Sequence, residues 1–257
     1  MKSADKKVIL SIYRVLFRHF GAQYWWPGQT RFEVIVGAIL TQNTNWGNVE
    51  KALANLKKRK LLTPQKLSSI SFSRLSELIR PSGYFKIKAK RLKNFLDFLF
   101  KEYRGDLNQI QGESADLLRE KLLAVNGIGP ETADSILLYA FGKPVFVIDA
   151  YAKRFLYRHG LAEEKTDYGS LQKLFTGALP EEVQLFNEYH ALIVRLGKVY
   201  CRPKPDCEQC PLKGVRYSLK NKCCLCHRFL PDPKDRVYQG EGRLLYCLKC
   251  SGCPANS

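Results

Sequence analysis

The sequence predicts an all-α protein that ends in a Cys-rich, metal-binding segment, and three observations predict it. Apolar residues recur at the spacing of a buried helix face along most of residues 1–197. Alternation with a period of two is confined to short stretches at 145–148 and 243–246. All nine cysteines fall between Cys201 and Cys253, which leaves the first 200 residues free of thiol. With 257 residues and 45% hydrophobic side chains, the chain has enough apolar surface to bury a core without disulfide staples.

Taken in order, the first helix is expected over 8–20, where Val8-Ile9, Ile12-Tyr13, Leu16-Phe17 and Phe20 share a face and Gly21 supplies the stop. Further helical patterns cover 32–40, 48–56, 72–79, 89–103, 114–125, 133–141, 150–159, 170–179 and 182–196. After Gly197 the composition shifts to Cys, Pro, Lys and Arg, and helical periodicity fades. A boundary therefore separates a helical region, 1–197, from a tail, 198–257. No internal repeat or low-complexity tract argues for a solenoid or a disordered linker. No stretch approaches the roughly 18 apolar residues that a membrane span needs, so no membrane partner is expected and the cytoplasm is the expected location.

Forty-two Lys and Arg against 24 Asp and Glu leave a net charge of +18. Such a surplus favours an extended polyanion over a small metabolite, and nucleic acid is the first candidate. The plain alternative is a solvated basic surface, because charge specifies neither fold nor chemistry.

The run Leu122-Leu123-Ala124-Val125-Asn126-Gly127-Ile128-Gly129-Pro130-Glu131-Thr132-Ala133-Asp134 ends one helix, turns, and starts another. Gly127 and Gly129 are read as permitting positive φ and close approach of the backbone to another molecule. The amides that open the next helix then suit a DNA phosphate. Next comes Lys143-Pro144-Val145-Phe146-Val147-Ile148-Asp149, an apolar run ending in one acid at a helix start. Asp149 reads as an N-cap, and a carboxylate there can also stabilise positive charge on a sugar as its base departs.

Several motifs in this order resemble the helix-hairpin-helix DNA glycosylases related to endonuclease III. The resemblance spans about residues 8–212 and rests on Leu40-Thr41-Gln42-Asn43-Thr44, Lys88-Ala89-Lys90-Arg91, Gly127-Ile128-Gly129 with Thr132-Ala133, Val147-Ile148-Asp149 and the first three cysteines. It implies a two-lobed helical fold, with one six-helix-type lobe at about 30–145 and the other built from the N-terminal helix plus 146–197. It implies double-stranded DNA crossing between the lobes, a flipped damaged base, and Asp149 as the catalytic carboxylate. Gln42 is then expected at the gap left in the duplex, with Gly127, Gly129, Thr132 and Lys198 as further DNA contacts, in a monomer associated with the nucleoid.

Bifunctional members of that family carry a lysine two residues after the second hairpin glycine, where this chain has Glu131. The resemblance thus implies a monofunctional enzyme without a Schiff-base amine. Trp25-Trp26-Pro27, Arg80-Pro81-Ser82-Gly83-Tyr84-Phe85 and Glu131 look like the 3-methyladenine branch. A ring-alkylated base is already cationic, so an electron-rich aromatic slot and a carboxylate suffice. Trp25, Trp26, Pro27, Trp46 and Glu131 are the expected base pocket. Excision of uracil, of mismatched thymine or of an oxidised base with strand cleavage stays open, as does a protein that binds lesions without catalysis.

Cys201, Cys207 and Cys210 are separated by five and two residues, close to the family's iron–sulfur loop, but the next thiol, Cys223, follows after twelve more. A longer loop still closes a cluster, because the geometry restricts sulfur positions rather than chain length. A 4Fe-4S cluster on Cys201, Cys207, Cys210 and Cys223 is the expected first centre. Cys223-x-x-Cys226 and Cys247-x-x-Cys250 have the spacing of a zinc ribbon, so Cys226, Cys247 and Cys250 belong to a second, alternative zinc centre, with Cys224 or Cys253 available to complete one of the two sites. Either centre is structural, since thiolate-saturated metal has no open position. Lys213, Arg216, Lys220, Lys222 and Arg228 interleave with these ligands and are expected to face phosphates.

Overall fold

The computed structural model describes residues 3–25 and 28–213, together with two short paired strands, β1 (Arg236–Tyr238) and β2 (Leu245–Cys247). All ten expected helices are present: α1 (Ser3–Phe20), α2 (Arg31–Leu40), α3 (Trp46–Lys58), α5 (Phe72–Leu78), α6 (Phe85–Tyr103), α7 (Ala115–Ala124), α8 (Pro130–Ser135), α9 (Ala150–Arg158), α10 (Tyr168–Thr176) and α11 (Val183–Val199). An eleventh, α4 (Pro64–Ser69), escapes periodicity because only Leu67 of its six residues is buried. Its ends account for it. Thr63 accepts the Lys66 amide, Pro64 opens the first turn, and Lys93 Nζ donates to the carbonyls of Ser68 at 2.7 Å and Ile70 at 2.6 Å.

Side-chain caps fix six other starts as well. Thr30, Asn45, Ser71, Ser114, Asp149 and Asp167 each accept the amide three residues on. Helix α8 opens at Pro130, ahead of its expected start, and continues into a π-helical stretch, Ile136–Ala140. Residues 145–148 are no strand. Phe146, Val147 and Ile148 are all buried, so the run is apolar as a buried connector and does not alternate. β2 overlaps the other alternating stretch, and Val237 stands opposite Tyr246. No helix among the described residues is long and apolar enough to cross a membrane.

The chain divides into two compact units: one takes the residues up to Tyr24 and those from Ile148 on, the other runs from Trp25 to Val147. In the first, α11 packs against α1 and α9. Tyr189, fully buried on α11, donates its hydroxyl to the Ile9 carbonyl at 2.9 Å, with the rings of Tyr13 and Phe175 edge-on to it. A glycine inside α11 has a packing reason: a Cβ on Gly197 would sit 2.3 Å from Tyr151 Cδ1, so only glycine lets α9 come this close.

In the second unit, α2 is buried along nearly its whole length and touches α3, α6, α8 and the π-helical stretch. Its last carbonyl is held from α6 by Lys88, which donates Nζ to Leu40 O at 2.9 Å and Ser82 O at 2.5 Å while only 1% exposed. Burial, helped by the nearby Arg91 charge, brings the Lys88 amine down to about 8. The folded protein therefore releases this proton at lower pH than the unfolded chain does, and stability gains from Lys88 as pH rises from about 8 towards 10.5. Lys88→Met is expected to flatten that part of the stability–pH curve, as read by urea midpoints across the interval. An unchanged slope would show that Lys88 titrates alike in both states.

Candidate active site

Asp149 closes the irregular run and caps α9. Its Oδ1 accepts the Ala152 amide at 2.7 Å, and its Oδ2 faces His190 Nε2, on α11, at 3.5 Å. The side chain is 15% exposed and that of His190 is 4% exposed. Burial alone would push the Asp149 carboxyl up. The His190 ring and the amides of Ala152 and Tyr151 outweigh it and hold the carboxyl below its ordinary value. A helix N-terminus favours the same charged form. Asp149 is thus a nearly buried carboxylate kept ionised, with one oxygen committed to the helix start.

In the other unit the hairpin is built around one amide. Gln42 Nε2 donates to Gly127 O at 3.0 Å and to Thr132 Oγ1 at 2.9 Å, while its Oε1 accepts from Arg91. Gln42, Gly127 and Thr132 therefore come together with Arg91, a residue given no role above. Thr132 is 6% exposed and turned towards this network. The two glycines do different work. Gly127 has φ +95°, and a Cβ there would meet Arg91 Cγ at 2.3 Å. Gly129 has φ −94°, which any residue adopts, and a Cβ there would meet nothing within 4 Å. The expectation of positive φ at both glycines thus holds at Gly127 alone. Glu131 lies exposed in the first turn of α8.

Trp25 is half-buried with its ring 5.8 Å from that of Tyr139, a buried residue of the π-helical stretch. Trp26 and Pro27 lie outside the described residues. Trp46 opens α3, lies against Gly37 of α2 and donates its indole N–H to Glu50 Oε1 at 2.9 Å. Together with Gly28, Gln29, Glu33, Glu50 and Lys57 it lines a cavity of about 620 Å³. Glu33, its side chain 8% exposed, pairs with Lys57 at 2.6 Å. Within a strongly basic protein this cavity holds two carboxylates against one ammonium. Glu33 and Glu50 were not read from the sequence; Glu50 follows Trp46 at the i,i+4 spacing of one helix face, whereas Glu33 joins them only through the fold.

Lys198 is exposed in the last turn of α11. Beyond it, Cys201 is buried and Cys207 and Cys210 are partly so. Burial pushes the Cys210 thiol up to about 11, with Cys207 and Cys201 adding to it, and burial and Cys201 raise Cys207 likewise. The three sulfurs are therefore close enough to act on one another. Helix α9 is tied to this segment: Arg154 Nε donates to Cys201 O at 2.7 Å, and Arg158 donates to Cys201 Sγ at 3.5 Å and Pro203 O at 2.9 Å. Cys223, Cys226, Cys247 and Cys250 have no described side chains, nor have Cys224, Cys253, Arg216, Lys220, Lys222 and Arg228. No group of three or more metal-ligating side chains stands out among the described residues.

The unlike glycines lead to a paired expectation. Gly127→Ala should lower the thermal midpoint, through backbone strain of about 1–3 kcal/mol and the collision with Arg91. Gly129→Ala should leave it unchanged. Thermal melts of the two variants check this, and equal losses would contradict the distinction.

Comparison with known proteins agrees with the fold and the family resemblance. Residues 36–181 match the family described as HhH-GPD superfamily base excision DNA repair protein. A protein of Methanocaldococcus jannaschii named as a DNA repair glycosylase is 46% identical over 83% of this chain and 97% of its own length. Endonuclease III of Thermotoga maritima is 32% identical over 71% of this chain and 81% of its own length. Among solved structures, the 3-methyladenine DNA glycosylase of H. pylori, bound to 1,N6-ethenoadenine, is 33% identical with a TM-score of 0.62, covering 76% of this chain and 97% of that one. A non-covalent endonuclease III–DNA complex, 22% identical with a TM-score of 0.72 over 85% of this chain and 97% of that one, shares the fold. The chain belongs to the HhH-GPD superfamily of base excision DNA repair proteins.

Proposed function

We propose that the protein is a monofunctional DNA glycosylase that hydrolyses the bond between deoxyribose and a cationic, N-alkylated base of the 3-methyladenine type. The observation that carries this reading is Asp149, a carboxylate held charged with one oxygen engaged by the helix and the other facing His190. As the C1′–N bond breaks, its electron pair neutralises the base and positive charge passes to the sugar, where Asp149 stabilises it. Water then adds to C1′ and its proton goes to Asp149 and on to solvent. Glu131 stands where bifunctional relatives place their lysine, so no amine at that position competes with water.

The cavity beside Trp46 supports the choice of base. An indole face and an excess of carboxylate favour a flat cation over a neutral base. The likeness to the H. pylori 3-methyladenine glycosylase points the same way. The hairpin amides from Gly129 onward serve the DNA backbone, and Gly129, whose Cβ position is open, lets a phosphate approach. Gly129→Ala should therefore weaken duplex binding without loss of stability. In this reading Trp25, Trp26, Pro27 and Glu131 also face the base, Trp25 and Glu131 from outside the lining of the Trp46 cavity, while Gln42 stands at the gap in the duplex and Lys198 adds a phosphate contact.

Cys201 raises the pKa of Cys207, and both raise that of Cys210, although no group of three metal-ligating side chains stands out among the described residues. Cys201, Cys207, Cys210 and Cys223 would hold a 4Fe-4S cluster, and Cys226, Cys247 and Cys250 would contribute to a separate zinc centre. Such a centre supplies a structural pin with no open position for water.

Two tests follow. Asp149→Asn retains an N-cap acceptor, so it should fold and bind damaged duplex while base release slows at least about 100-fold, measured by chromatography of the freed base under single turnover. Duplexes carrying 3-methyladenine, uracil, a G·T mismatch or 8-oxoguanine, scored before and after alkali, should show methylated base released and strand breakage only after alkali. Breakage without alkali would reveal a lyase amine, and release of uracil or thymine alone would move the protein to a deaminated-base class.

A further inference from the structure

His190 belongs to no motif recognised in the sequence, yet it is one of the few buried polar side chains and the only imidazole near Asp149 among the described residues. It rides on α11 seven residues before Gly197, the close-approach point with α9. The same helix contact that needs glycine thus brings the ring to the carboxylate. At 3.5 Å, Nε2 is beyond the length of a full hydrogen bond to Oδ2, whereas Ala152 N holds Oδ1 at 2.7 Å. Catalytic contacts of this kind are often long in the free enzyme and tighten in the complex.

We propose that His190 is the positioning residue of Asp149, with its Nε2–H fixing the rotation of the carboxylate so that Oδ2 faces the sugar as charge develops there. The proposal rests on the reading of Asp149 as the sugar-facing carboxylate. His190 touches no substrate in it and acts through Asp149 alone. The groups acting on that carboxyl are His190 and the Ala152 and Tyr151 amides. On α11, Glu188 takes the Gln23 amide, Tyr189 donates to Ile9 O with Tyr13 of α1 against its ring, and Arg195 and Lys198 are exposed. Cation or neutral donor, His190 favours the ionised carboxylate.

The test compares His190→Leu, which removes the donor, with His190→Gln, which keeps one. Three quantities are read on the full protein: single-turnover base release at saturating duplex, duplex Kd, and the titration of the Asp149 carboxyl followed by 13C NMR without DNA. The expected result is a fall in base release of about tenfold or more in His190→Leu, a Kd within about twofold of the parent, an Asp149 carboxyl that titrates at higher pH, and partial rescue by His190→Gln. Unchanged base release and unchanged titration in a folded His190→Leu would overturn the proposal. Should His190→Leu not fold, His190→Ala takes its place, and a parental rate with an unshifted Asp149 titration in that variant counts against the proposal. A parent that releases no base from any duplex would fail the glycosylase reading. The shifted titration would then still support His190's hold on Asp149, and an unshifted one would refute it.

Discussion

The carboxylate proposed to meet a sugar cation must be sheltered from water and still be charged, and burial works against the second requirement. Asp149 meets both by ending the buried connector at a helix start. Ala152 takes one oxygen, the first turn of α9 supplies favourable dipoles, and His190 stands across from the other oxygen. Each element of this unit that bears on the site serves that balance. Gly197 lets α9 and α11 close up against Tyr151. Arg154 spans the same two helices, donating to Gly197 O and Cys201 O while its guanidinium lies over the Tyr151 ring. The thiol segment therefore bears directly on the helix that Asp149 caps, which gives a structural metal a route to influence the site without any part in the reaction.

The second unit solves a different problem, that of presenting backbone amides in a fixed arrangement. A loop that must be ordered on binding loses affinity to that ordering. Here the ordering is already done: Lys88 holds the end of α2, Gln42 follows two residues later, and its amide fastens Gly127 and Thr132 with Arg91 behind it. The same network sets a condition on the expected part of Gln42 at the gap in DNA. Its donors and acceptor are engaged, so entry into the duplex must exchange these hydrogen bonds for new ones, or else Gln42 remains the hairpin's brace and another side chain fills the space.

Ten helices, their order and the aspartate at the start of α9 were legible because each depends on local pattern: spacing of apolar residues, a capping side chain, a Gly-x-Gly turn. What escaped was set by distance in the fold. Helix α4 is made by Thr63 at one end and Lys93, far along the chain, at the other. His190 reads as one more polar residue on an amphipathic helix, and only the packing of α11 on α9 gives it a meaning. Arg91 stood within a recognised motif, but its contact with Gln42 crosses nearly fifty residues. The glycines of the hairpin look alike in sequence, and the difference between them is a dihedral angle and the stem of Arg91. Buried hydrophobic runs mislead for the same reason: 145–148 has the composition of a strand and is a connector.

Charge in this molecule acts at two ranges with opposite signs. The net +18 attracts the duplex over the Debye length and is weakened by salt. At contact range the pattern inverts: Asp149 is kept anionic, and the cavity at Trp46 sets Glu33 and Glu50 against Lys57. In the proposed reading a polyanion is drawn in by the first field, and the carboxylates of each unit favour a cation at contact range. That combination suits a base that carries its positive charge before the reaction and loses it on leaving, because the enzyme need not protonate it. It suits a neutral base poorly, since such a base needs a proton donor as its bond breaks. Under the proposed mechanism the chemistry left for the protein is stabilisation of the sugar and delivery of water, which one well-placed carboxylate can perform without an amine at the position of Glu131.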